Sequence, residues 1–115
     1  MKVTRFADAK PYVAPLHYGM QALRLQGFDT DGPTQFWTGL SHFLPDGGAG
    51  PDASPLEKVY VVLSGELTVR AGGQDTVLGP MDSCCIPGGE EREVKNTGNH
   101  VATMLVVMPY PESEK

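Results

Sequence analysis

Short apolar segments separated by turns rich in Gly and Pro run along almost the whole chain. β-branched and aromatic residues dominate them, and none sustains a capped helical period, although residues 15–25 could hold a turn of helix. Eight segments cover residues 20–25, 34–44, 58–63, 66–71, 75–78, 83–87, 92–96 and 101–108. Regularly spaced short strands are typical of a sandwich or small barrel, so the pattern predicts an all-β fold.

The length and composition indicate a single globular domain. The chain has 115 residues, of which 40% are apolar and 20% charged, enough for one core and too few for two. We expect residues 1–33 to form an N-terminal arm with the first strand or strands, residues 34–110 to form the barrel, and residues 111–115 to form a flexible tail.

The net charge argues against two classes of partner. The net charge is -5 and the basic residues are scattered, so neither nucleic acid nor an anionic membrane surface is an expected partner.

Without a signal peptide or a membrane-spanning apolar run, a cytoplasmic location is the default. The adjacent Cys84 and Cys85 would point to opposite faces of a strand, so we expect two reduced, packed thiols.

Two stretches share a characteristic order of turns and strands. Residues 45–65, PDGGAGPDASPLEKVYVVLSG, form a loop and an apolar strand closed by glycine. Residues 79–96, GPMDSCCIPGGEEREVKN, place an aspartate, a strand and a P-x-G turn in sequence. Together they resemble the two motifs of the cupins, over roughly residues 34–108. The resemblance implies a small antiparallel β-barrel, or jelly roll, with a pocket inside one mouth.

The residues that would hold the usual cupin metal are replaced. Counting back from Gly65, the glutamate position of the family falls on Lys58, and two histidine positions fall on Asp52 and Ser54. The third histidine position falls on Arg92, whereas the asparagine of the motif is retained as Asn96. Because ammonium and guanidinium groups repel a divalent cation, we expect neither metal nor other cofactor at this site.

Cations in place of metal ligands suggest an anion site. Strand alternation sends Lys58 and Tyr60 to one face, and Lys58 and Arg92 both point where the metal would lie. We therefore expect them to bind a small anionic molecule, with Asp52, Ser54 and Tyr60 as further polar contacts.

Two alternatives would remove this anion site. In one, Lys58 and Arg92 form a surface salt-bridge network with Asp52 or with the glutamates at 90, 91 and 93. In the other, a one-residue slip of the strand turns Glu57 inward instead of Lys58.

The candidates for proton transfer are Lys58, His42 and Asp52. His42 could face the cavity from its strand or could be a packed histidine, whereas His17 and His100 are expected in solvent. With these residues the chain could be a metal-independent isomerase, lyase or decarboxylase acting on a small anionic metabolite.

Three further expectations stay open. The barrel could be a non-catalytic module that binds a small molecule or a protein. In a minor alternative, the chain is a metal-dependent enzyme with atypical ligands: His42, Glu57, Asp52 and a cysteine. Because the N-terminal arm could add a strand to a neighbouring copy, and many cupins pair in this way, we also expect a homodimer.

Overall fold

The structure, a computed structural model, describes residues 1–112. A short 3-10 helix spans Phe6–Asp8 and is followed by nine strands. The strands are β1 Lys10–Tyr12, β2 His17–Gln26, β3 Phe36–Ala53, β4 Lys58–Ser64, β5 Leu67–Ala71, β6 Gln74–Leu78, β7 Ser83–Ile86, β8 Glu91–Lys95 and β9 Ala102–Pro109. Of the predicted tail, residues 113–115 lie outside the described residues. In the part that is described, no helix is long and apolar enough to cross a membrane.

All strand pairs are antiparallel, and the strands form one strongly curved sheet. The order is β6-β5-β8-β3-β9-β4-β7, with β2 on β3 and β1 on β2. The sheet curls into a nearly closed barrel, which confirms the all-β barrel prediction. Closure of this kind leaves few strand edges without partners.

The long strand β3 joins the two halves of the barrel. It pairs with β2 and β9 along its first part and with β8 near its end. Residues 45–53 were expected to be a loop because Gly, Pro and Asp are rare in strands. They are extended instead, and a Cβ on Gly48 would collide with the carbonyl oxygen of Val94 on β8. Glycine is therefore needed for the close approach of the two strands.

Alternation along the strands places the core inside the barrel. In β4 every second residue from Lys58 to Val62 is buried, and β9 follows the same pattern from Ala102. The largest fully buried apolar side chains are Phe43, Val62, Leu67 and Val94. Cys84 packs against this core but Cys85 is exposed, so the expectation of two packed thiols is wrong for Cys85. The two neighbours point to opposite faces of β7.

Candidate functional site

A cavity of about 400 Å³ opens at one end of the barrel. Its walls come from β3, β4, β8 and β9, and residues 12–15 and 17 of the N-terminal segment line its mouth. The volume lies at the lower end of the range for small-molecule pockets, about 300–1,000 Å³. The barrel thus has room for one small ligand.

Five polar side chains predicted from the sequence meet in this cavity. They are Asp52, Ser54, Lys58, Tyr60 and Arg92. Lys58 and Tyr60 share the inward face of β4, with relative exposures of only 3% each. Arg92 is 6% exposed on β8, where it pairs across the sheet with Asp52 of β3. Glu57 is exposed, so the strand is not slipped by one residue.

Within residues 1–112, only some of the hydrogen-bond donors of the Arg92 guanidinium have an acceptor. Its Nε donates a hydrogen bond of 2.8 Å to the hydroxyl of Tyr60. Its Nη1 is buried and has no hydrogen-bond partner among the described residues. This nitrogen packs close to Gly50, where a Cβ would lie 2.8 Å from it. A buried donor without an acceptor is costly, and the guanidinium makes no other hydrogen bond to the described residues.

An aromatic group forms the opposite wall of the cavity. The guanidinium carbon of Arg24 lies 4.7 Å from the ring centroid of Tyr12, 3.7 Å from that of Phe28 and 5.5 Å from that of Trp37. Such distances are typical of cation–π contacts. The Tyr12 hydroxyl lies against Gly39, where a Cβ would be 3.0 Å from it. The cavity therefore joins a charged wall to an aromatic one.

Comparison with known proteins assigns the family. Residues 39–108 match the sequence model of the Cupin domain family. The chain belongs to the cupins. A Mycobacterium tuberculosis protein named beta-D-galactosidase is 43% identical over 114 residues, which cover 99% of this chain and 98% of that protein.

Solved cupin structures show the same fold. The polyketide cyclase RemF from Streptomyces resistomycificus aligns with a TM-score of 0.84 and 24% identity, over 95% of this chain and 79% of that chain. An RmlC-like cupin from Shewanella frigidimarina aligns with a TM-score of 0.79 and 14% identity, over 97% and 93% of the two chains. At these identities the likeness concerns the fold.

The positive charges of this cupin pocket have no carboxylate partner. Ion pairs with an N–O distance of 4.0 Å or less join Lys2 to Asp29 and Asp31, and Arg70 to Asp75. Within residues 1–112 neither Lys58 nor Arg92 takes part in such a pair, so the alternative of a closing salt-bridge network is wrong.

Burial and mutual repulsion act on the Lys58 ammonium. Burial lowers the pKa of Lys58, the charge of Arg92 lowers it further, and Asp52 opposes both effects. For Tyr60, burial raises the pKa while the Arg92 charge and hydrogen bond oppose it. Lys58 is therefore easier to deprotonate than a solvated lysine.

His17 also lines the pocket, although it was expected in solvent. It is the first residue of β2, and its Nδ1 lies 2.7 Å from the carbonyl oxygen of Pro15. Because a carbonyl only accepts, Nδ1 carries the proton and the neutral ring keeps its lone pair on Nε2. Burial lowers the pKa of His17, and Arg92 and Lys58 add to this while the Pro15 contact and Asp52 oppose it.

His42 does not line the cavity in the described structure. Its Nδ1 lies 3.0 Å from the hydroxyl of Thr103, and its ring meets Phe6 edge-on at 6.1 Å. It therefore occupies the outer face of β3, opposite Trp37 and Phe43. Both the cavity-facing interpretation of His42 and its place in an atypical metal site are wrong.

No cluster of three or more His, Cys, Asp or Glu residues suited to a metal ion occurs in the described part of the chain. The positions of the usual cupin ligands hold Asp52, Ser54, Lys58 and Arg92 instead. Two of these four are buried cations. The donor set is therefore chemically unlike a divalent-metal site.

Proposed function

We propose that this cupin is an enzyme that hydrolyses a small β-galactoside in the barrel pocket. The observation that carries the proposal is the 43% identity, over nearly the full length of both proteins, to the M. tuberculosis protein named beta-D-galactosidase. The pocket suits a sugar because hydroxyl groups can hydrogen-bond to Asp52, Lys58 and Arg92 while the apolar face of the ring lies against the apolar part of the lining.

Hydrolysis of a glycoside requires a proton for the leaving oxygen and a base for the attacking water. Most glycosidases use two carboxylates, but within residues 1–112 only one, Asp52, lines this pocket. We assign Asp52 as the base and the Lys58 ammonium as the acid. Water adds to the anomeric carbon as its bond to the leaving oxygen breaks, Asp52 takes a proton from water, and Lys58 gives one to the leaving alcohol.

In this proposal the reaction needs no bound metal. The usual cupin metal does not fit the residues present, since Lys58 and Arg92 would place two positive charges beside it. A metal-dependent reaction would instead be inhibited by chelators, which gives a direct check on protein purified without a nickel column.

The test is hydrolysis of an aryl β-D-galactoside, with the α-galactoside and the β-glucoside as substrate controls. We expect turnover of the β-galactoside alone and a loss of roughly a hundredfold or more in kcat/KM for Asp52→Asn. Asp46→Asn is the matched control, because Asp46 is exposed and does not line the pocket. No hydrolysis by the unaltered protein, or full activity in Asp52→Asn, would refute the proposal.

A second candidate function is binding of a small anionic metabolite, with or without chemical change. The Arg92 guanidinium, which lines the pocket and makes only one hydrogen bond to the described residues, favours it, together with the Lys58 ammonium that has no carboxylate within 4.0 Å among them. Calorimetric titration with small mono- and dicarboxylates and with phosphate would test it. Saturable binding without hydrolysis of any galactoside would favour this function over the first.

A further inference from the structure

Lys58 is buried in the wall of the pocket, as nucleophilic lysines are, and does not resemble a surface lysine. It is the first residue of β4, and its register opposite Ile86 of β7 turns the side chain into the pocket. Its relative exposure is 3%, whereas Lys10 on β1 is exposed and Lys95 donates a 2.8 Å hydrogen bond to the carbonyl of Asp46. Among the lysines of residues 1–112, Lys58 alone lines the cavity at the end of the barrel.

The surroundings of Lys58 make its ammonium lose a proton more readily than that of a solvated lysine. A carboxylate in contact would hold the proton on Nζ, but in the described residues none lies within 4.0 Å. Burial and the nearby Arg92 both lower the pKa of Lys58. A buried lysine beside a second cation is the arrangement that activates an amine toward carbonyl compounds.

Arg92 supplies a separate anchor close to that amine. It bonds to Tyr60, which lies two residues after Lys58 on the same face of β4, about 7 Å along the strand. Arg92 lines the cavity, and among the described residues its guanidinium makes only the Tyr60 hydrogen bond, so it can donate to a carboxylate oxygen. A ligand carrying a carboxylate next to a carbonyl could therefore contact both side chains at once.

We infer that Lys58 forms an imine with a small 2-oxo acid whose carboxylate is bound by Arg92. The neutral Nζ attacks the carbonyl carbon to give a carbinolamine, which loses one molecule of water to form the C=N bond. Protonation of the imine nitrogen then makes it an electron sink for the adjacent carbon. This activity goes beyond the proposed hydrolysis of galactosides and does not depend on it.

Borohydride trapping tests the inference directly. The protein is incubated with pyruvate, then reduced with sodium borohydride, which converts the imine into a stable secondary amine. Intact mass and peptide mapping locate the label. We expect Lys58 to be labelled at least roughly tenfold faster than Lys10, and pyruvate to label Lys58 faster than acetone does, because both are methyl ketones but only pyruvate has a carboxylate.

Three variants make the test specific. Lys58→Met should lose the fast label, the matched control Lys10→Met should keep it, and Arg92→Met should lose the preference for pyruvate over acetone. Equal labelling of Lys58 and the exposed lysines of the unaltered protein would overturn the inference even if Lys58→Met failed to fold. The galactoside assay on the same sample tests the proposed hydrolysis separately, so the hydrolysis and the imine can each be refuted without the other.

Discussion

Arg92 and Asn96 are two buried polar residues, one near the start of β8 and one directly after its end, and they differ in how their hydrogen bonds are satisfied. Asn96 is 1% exposed; its Nδ2 donates to the carbonyls of Phe43 and His100, and its Oδ1 accepts from the N–H of Gly98. Arg92 is 6% exposed and uses Nε, but Nη1 lacks an acceptor in the part of the chain that the structure describes.

The difference separates a structural residue from a candidate functional one. Asn96 joins β3 to the turn after β8 and leaves no polar side-chain atom to offer a ligand. A buried unpaired donor on a charged group costs roughly 1–3 kcal/mol or more. Arg92 lines the pocket with a single hydrogen bond to the described residues, which is consistent with a ligand that supplies further acceptors and is the basis of the second proposed function.

The largest effect should come from Asn96→Ala. The substitution leaves the carbonyl of Phe43 unpaired inside the protein and removes two part-buried hydrogen bonds, to the carbonyl of His100 and from the N–H of Gly98, so we expect the free energy of unfolding to fall by about 3 kcal/mol. Urea denaturation measures this, with Asn99→Ala as the matched control because Asn99 is exposed. The control should change stability by less than about 0.5 kcal/mol. A similarly small change in Asn96→Ala would contradict the structural role of Asn96.

Arg92→Met should show the opposite behaviour. Methionine removes the buried charge but leaves the Tyr60 hydroxyl without its partner, and these effects oppose each other, so we expect the free energy of unfolding to change by less than about 1 kcal/mol. Affinity for the tightest-binding small carboxylate should fall by about tenfold to a hundredfold, the value of a charge-assisted hydrogen bond. Denaturation and calorimetry on the same preparation measure both quantities. Strong destabilisation with unchanged affinity would assign Arg92 a structural role like that of Asn96.

The inward direction of Lys58 and Arg92 was predictable from the sequence, because the turns fix where each strand begins and therefore which of its residues face the pocket. Gly65 anchors β4 and thereby directs Lys58 inward, and the turn before β8 does the same for Arg92. The same alternation could have excluded His42, since the large aromatic residues Trp37 and Phe43 of that strand share the opposite face. A residue at an even position between two inward odd ones must face outward.

The remaining features depend on contacts between distant parts of the chain. Tyr12 and Arg24 reach the pocket because β1 and β2 pair and fold against the barrel, and no local pattern in residues 1–33 signals this. Residues 45–53 are extended because β2 and β8 pair with them, against the low strand propensity of glycine and proline. The expected homodimer stays a prediction.

The smallest effect concerns His17, which lines the same pocket as Arg92. Burial lowers the pKa of His17 below its ordinary value of 6.5, with Arg92 and Lys58 adding to the shift. Between the folded pKa and 6.5 the unfolded chain binds more protons, so the free energy of unfolding rises with pH there; the penalty is complete below the folded pKa and absent above 6.5.

The measurement is the difference in unfolding free energy between the unaltered protein and His17→Asn from pH 7 to pH 5. Asparagine keeps a donor for the Pro15 carbonyl but does not titrate. We expect the unaltered protein to lose more stability on acidification, and His100→Asn, at an exposed site, to behave like the unaltered protein. In Arg92→Met the His17-dependent loss should shrink, since one repelling charge is gone. Parallel pH curves for the unaltered protein and His17→Asn would show that His17 does not sense the charged wall of the pocket.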